Sequence, residues 1–152
     1  MRLAAALLLV SLAVVGCDEG LGPGSSLYSS YFLSTIDGQL LPAPDDEVPE
    51  GAVVVAATLS FPRAGRARDG ETALAGYIRR IRLADQTEQE VRIDLNYRVT
   101  DGELTIDLCP PLAFCLVPTL LVGPADRDEL LLTHYLANAP GSIYRFFAAL
   151  PD

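Results

Sequence analysis

His134 is the only histidine in the chain, and it lies in the apolar run ELLLTHYLA. An imidazole is the commonest general base near neutral pH, so a search for catalysis starts there. Its surroundings in sequence supply no partners. No serine sits in a Gly-x-Ser-x-Gly elbow, and without a second histidine there is no His-Glu-x-x-His zinc motif. Strand alternation puts His134 on the side of Leu130, Leu132 and Leu136, with Leu131, Thr133 and Tyr135 opposite. Both sides are apolar, so alternation does not orient it. A hydrogen-bonded or surface histidine is the expected role.

Arginine is the second candidate group. Arg63, Arg66, Arg68, Arg79, Arg80 and Arg82 gather in one loop and the strand after it. In GYIRRIRLAD the alternation Tyr77–Ile81–Leu83 would send Arg79 into the apolar face. A bulge at Arg79-Arg80 would correct the register, and this is the favoured expectation. The alternative is an inward Arg79, whose planar fork could clamp a ligand carboxylate bidentately. All 11 basic residues are arginine, a coding bias that weakens arguments from any single one.

Acidic residues dominate elsewhere. PAPDDEVPEG concentrates Asp45, Asp46, Glu47 and Glu50 without the Asp-x-Asp-x-Asp-Gly spacing of a calcium loop, so a solvated loop is expected. PADRDE at 124–129 reads as a charged turn. A chain without lysine cannot carry a Gly-x-x-x-x-Gly-Lys phosphate loop. The formal charge is −9, and removal of residues 1–16 takes away only Arg2. That sign repels phosphate backbones, so no nucleic-acid partner is expected. It also opposes adsorption to anionic lipid, so membrane attachment would need a device other than a basic patch. No nucleophile, base and orienting group come together in the sequence, and no metal or cofactor is implied. The chain is expected to be non-enzymatic.

MRLAAALLLVSLAVVGC reads as an export signal. Arg2 is the positive n-region, and Leu3 to Val15 is apolar apart from Ser11. Such a run is too short for a hydrocarbon core of about 30 Å. Val14-Val15-Gly16-Cys17 resembles the bacterial lipobox. The resemblance implies cleavage before Cys17, a diacylglycerol on its thiol and a durable anchor in a cell-envelope membrane. Asp18 resembles the residue that favours inner-membrane retention in some two-membrane bacteria, and inner versus outer membrane stays open. EGLGPGSSLYSS, residues 19–30, has the composition of a flexible tether. Residues 1–16 are therefore read as signal peptide, 17–29 as lipidated cysteine and tether, and 30–152 as one domain.

With Cys17 set aside as the anchor, Cys109 and Cys115 remain as a pair. An exported domain occupies a compartment where disulfides form, so a bridge between them is expected. Closing a seven-residue loop is worth about 2.4 kcal/mol on the chain-entropy formula. A redox centre would show Cys-x-x-Cys, and a zinc site would need two further soft ligands.

The elements that must position these residues are short β-runs: Tyr31–Ile36, Val53–Phe61, Thr72–Leu83, Glu90–Thr100, Glu103–Leu108, Leu116–Val122, Glu129–Leu136 and Ser142–Leu150, with a minor piece at Gln39–Leu41 after Asp37-Gly38. In VRIDLNYRVTDGELTIDL, Val91, Ile93, Leu95, Tyr97 and Val99 alternate with polar residues up to Asp101-Gly102, the strongest short hairpin signal. Closing a type I′ turn there pairs Val99 with Leu104, Tyr97 with Ile106 and Leu95 with Leu108. About eight strands at this spacing predict an all-β domain, a small antiparallel β-barrel with a β-sandwich as the alternative. YFLSTIDGQLLP and the closing SIYRFFAAL resemble the small lipocalin-like or META-like barrels of bacterial lipoproteins. That likeness implies architecture only; no tryptophan and no Gly-Cys-Asn motif of the META kind is present. The expected function is a lipid-anchored envelope barrel that binds a small ligand or supports the envelope. The alternative is a protein-interaction module acting through loops or an edge strand.

Overall fold

The computed structural model describes residues 27–62 and 69–149. The export signal, Cys17, most of the tether, and Arg63, Arg66 and Arg68 lie outside the described residues. Nine strands follow in order: β1 (Ser30–Ile36), β2 (Gln39–Leu40), β3 (Val53–Ser60), β4 (Thr72–Arg82), β5 (Glu88–Thr100), β6 (Glu103–Asp107), β7 (Thr119–Pro124), β8 (Glu129–Leu136) and β9 (Ala139–Ala148). Every pairing is antiparallel; β1 pairs β2, β3 and β9, and from β3 to β9 each strand pairs the next in the chain. That last ladder closes β1 and β3–β9 into an eight-stranded barrel and removes the sandwich alternative. The short β2 extends the β3 edge along the end of β1.

The turns carry the local specification. Asp101 and Gly102 both adopt positive φ, 51° and 81°, as a type I′ turn demands. Val99 faces Leu104 and Tyr97 faces Ile106, and the ladder ends at Asn96–Asp107. Leu108, one step further on, donates its N–H to Thr119 instead. The expected Leu95–Leu108 pair is therefore absent from that ladder. An alanine at position 102 would place its Cβ in open space, so Gly102→Ala isolates the cost of positive φ. A loss of about 1 kcal/mol is expected, read as a lower urea midpoint at unchanged m-value. An unshifted midpoint would contradict the turn assignment.

Two strand starts differ from the sequence reading by three residues, and the other bounds by two at most. β7 starts at Thr119 rather than Leu116, because Leu116–Pro118 belong to the disulfide-closed connection. β9 starts at Ala139 rather than Ser142. Ala137 and Asn138 make the turn with φ of 50° and 68°, and Pro140-Gly141, which looks like a turn, runs inside the strand. A register shift between Thr133 and Tyr135 on β8 accommodates it.

The barrel centre is filled. Tyr31, Phe61 and Tyr97 stack edge to face, at 5.8 Å and 4.9 Å between ring centroids. Leu59, Leu95, Leu104, Ile106, Leu130, Leu132 and Phe146 are fully buried around them. At the end where β1 begins, Leu27 is buried and the Tyr28 N–H donates to the Tyr31 hydroxyl. The tail of the expected tether therefore already packs on the barrel. The Tyr31 hydroxyl in turn reaches the carbonyls of Asp126 and Arg127, at 3.1 Å and 3.0 Å. The opposite end carries the 37–38 and 137–138 turns, the 41–52 loop and the 108–118 connection.

Candidate functional site

The ladder between β4 and β5 runs without interruption from Thr72–Arg98 to Arg82–Glu88. The bulge expected at Arg79-Arg80 is therefore not formed. The irregularity lies instead on the neighbouring β3, between Val54 and Ala56. Regular alternation along β4 then turns Ala73, Ala75, Tyr77, Arg79 and Ile81 to the same side, and the Arg79 side chain is only 14% exposed. A guanidinium so placed requires counter-charge, because burial without it is prohibitive.

The 41–52 loop supplies it. Ala43 exchanges backbone hydrogen bonds with Val54, tying the loop to β3. The Asp45 carboxylate accepts the Glu47 N–H at 3.2 Å, and the Val48 N–H donates to the Asp45 carbonyl at 3.1 Å. This local turn sends alternate acids in opposite directions: Asp45 is buried and Glu47 half-buried, while Asp46 and Glu50 are exposed. The expectation of a wholly solvated acidic loop is thus corrected. Two of its four acids are drawn in by Arg79.

Arg79 Nη1 donates to Glu47 Oε2 at 3.0 Å and lies 3.5 Å from Asp45 Oδ2. The Tyr144 hydroxyl donates to Asp45 Oδ1 at 2.7 Å. His134 is also turned inward, on the side of Leu130 and Leu132, with Nε2 3.0 Å from Glu47 Oε1. The contact is at ion-pair distance but not aligned as a hydrogen bond. Gly141 lies against the ring; a Cβ there would sit 3.4 Å from Nδ1, in ordinary contact. The His134 and Tyr144 rings meet edge to face at 6.3 Å.

The electrostatics follow from burial. Burial pushes the Tyr144 phenol up, and the adjacent Asp45 carboxylate adds to it. Tyr77 is raised chiefly by burial, partly offset by Arg79, whose Cζ lies 5.9 Å from its ring centroid. For Arg79, burial opposes the charge, yet Tyr77, Glu47 and Asp45 outweigh it and hold its pKa above the usual value. The cluster is mutually satisfied: each carboxylate faces a cation or phenol from the barrel wall. Arg79 Nε and His134 Nε2 are the cluster's buried nitrogens without an aligned hydrogen-bond partner. A ligand carboxylate would have to displace Asp45 or Glu47 to reach the Arg79 fork. The geometry therefore acts as a latch that holds the 41–52 loop over this end of the barrel. Among the described residues no group of three His, Cys, Asp or Glu is placed to hold a metal ion.

Cys109 and Cys115 form the expected disulfide, with S–S at 2.03 Å and Cα atoms 6.0 Å apart, in the connection between β6 and β7. It lies toward the same end as the latch but is not part of it. Asp45, Glu47 and Tyr144 were not singled out by sequence as site residues. The signal that could have found them is the parity of Arg79, which demanded an acidic partner. No family model, curated protein or solved structure matches the chain.

Proposed function

We propose that the chain is a lipid-anchored protein of the bacterial cell envelope, attached through Cys17, whose non-enzymatic barrel engages its surroundings through its outer surface. The filled barrel centre carries the second half of this reading. With Tyr31, Phe61, Tyr97, Leu104 and Phe146 packed across the interior, a ligand there would have to displace core side chains. The described cavities are open grooves on the outer wall and beside the 41–52 loop, of about 440 Å³ and 370 Å³ for two of them. The Cys109–Cys115 bridge supports the address, because disulfides persist in exported rather than cytosolic proteins.

The anchor has a direct test. Cys17→Ser is expected to abolish incorporation of labelled palmitate and to move the protein out of the membrane fraction. Labelling that survives the substitution would overturn the anchor. For the barrel, native mass spectrometry of the mature protein is expected to show the bare polypeptide mass plus its acyl chains. A stoichiometric small molecule retained after core-disrupting exchange would argue for an internal carrier instead.

A further inference from the structure

We propose that the disulfide-closed connection between β6 and β7 seats the barrel on the lipid bilayer, with Leu112, Phe114 and Leu116 entering its interface. The inference rests on the lipid anchor of the preceding reading and adds a second contact with the same membrane. Leu112, Phe114 and Leu116 are 103%, 89% and 86% exposed, and Val117 beside them is 41% exposed. Large apolar side chains displayed together mark an interaction surface. The bridge between Cys109 and Cys115 fixes the loop that displays them, so little ordering remains to be lost on contact.

Three observations favour lipid over a protein groove. First, no charged residue occurs between Asp107 and Asp126, so the whole connection can leave water without burying an ion. Second, the base of the connection has its backbone donors provided for, while the N–H groups of Leu112, Phe114 and Leu116 stay free for water and headgroup oxygens, which sets the tip at the interface rather than in the hydrocarbon. Pro110, Pro111 and Pro118 have no N–H, and the N–H groups of Leu108, Cys109 and Ala113 bond to Thr119, Asp107 and Pro110. Backbone groups without partners are what makes irregular chain costly in an apolar medium. The tip also offers no side-chain donor or acceptor with which a protein groove would fix its orientation. Third, the reach is sufficient. The loop lies at the end of the barrel opposite Leu27, where the chain from Cys17 joins. Nine residues lie between Cys17 and Leu27, and the ten Cα–Cα steps can span at most about 36 Å. An eight-residue strand such as β8 is about 26 Å long before its tilt is counted. That length is enough for an anchor at Cys17 and the loop to meet one bilayer.

The charge of −9 makes the rest of the body avoid anionic headgroups. Seating is accordingly expected on neutral lipid and should weaken as anionic lipid is added at low salt.

The chain has no tryptophan, so Phe114→Trp introduces a single reporter at the tip. The full mature protein carrying it would be reconstituted on phosphatidylcholine vesicles containing brominated acyl chains. Leu74→Trp, on the outer wall of β4 nearer the Leu27 end and 51% exposed, is the reference. Blue-shifted emission and quenching of the Phe114→Trp reporter at least twofold above the reference are expected. Equal, weak quenching of both reporters on protein that co-floats with vesicles overturns the seating while leaving the anchor intact. Mass analysis of the N-terminal peptide reads acylation of Cys17 separately. If no acyl chain is found, the anchor reading falls. The loop is then tested by the same quenching with unacylated protein at millimolar lipid, where quenching supports seating and its absence overturns it. Adding Leu112→Ser and Leu116→Ser should lower that unanchored partition by about tenfold or more at unchanged thermal midpoint. Crosslinking of the tip to a protein without lipid quenching assigns the loop to a protein groove and also overturns the proposal.

Discussion

Arg79→Met is expected to destabilise the protein by about 3 kcal/mol, at the low end for a broken buried ion pair because the side chain keeps some solvent contact. The loss is not that of one attraction. It strands the fully buried Asp45 carboxylate beside Glu47, with only the Tyr144 hydroxyl and local backbone to solvate it. A double-mutant cycle separates the two effects. Asp45→Asn alone should cost about 2 kcal/mol, through the weaker bonds from Tyr144 and Arg79. Combined with Arg79→Met, the total should fall short of the sum by more than about 1 kcal/mol, since the second change removes the charge that the first left stranded. Urea unfolding of the four proteins measures this. Additive losses, or an Arg79→Met loss below about 0.5 kcal/mol, would show that the latch does not hold the loop.

The same cluster shows what the sequence could and could not disclose. Alternation made the β5–β6 hairpin readable to its register, because apolar periodicity and an Asp-Gly turn specify the same pairing. Closure was not readable: the β1–β9 ladder joins residues over 100 positions apart and leaves no local mark. At Arg79 alternation gave the right parity. The expectation failed because a bulge looked cheaper than a buried guanidinium. That comparison depended on whether an acid could reach it, and Asp45 and Glu47 lie 34 and 32 positions away in a Pro-rich loop whose composition signals solvent. His134 was ambiguous for a different reason. Leu131, Thr133 and Tyr135 make the outer face of β8 nearly as apolar as the inner one, so periodicity could not choose.

The two ends of the barrel are built differently. The end near Leu27 is sealed by Tyr31 through backbone carbonyls of the 124–129 connection. The opposite end is closed by charged side chains and carries the apolar Leu112–Leu116 tip. Between the two ends the barrel centre is filled by core side chains.

Alkaline unfolding is the second large effect, and it reports on both ends together. Burial pushes Tyr31 up to about 12, with Asp126 and Asp128 adding to it, and raises Tyr77 and Tyr144 further. An unfolded tyrosine ionises near its usual value of about 10. A raised folded pKa means the stabilisation is complete below about pH 10 and is lost as pH climbs toward the folded value, because only the unfolded chain sheds the proton. Each such phenol removes about 1.4 kcal/mol per pH unit above 10, so three together remove about 4. Against a typical domain stability of about 5–15 kcal/mol, the fold should open cooperatively between about pH 11 and 13. Absorbance at 295 nm should show at least three of the six tyrosines un-ionised until circular dichroism reports unfolding, and the two transitions should coincide. Tyr144→Phe should lower stability at neutral pH through the lost bond to Asp45 but make it fall less steeply above about pH 10, by about 1.4 kcal/mol per unit, since it removes one phenol that only the unfolded chain can ionise. All six phenolates appearing reversibly near pH 10 with the β-signal intact would mean that neither end is closed as described.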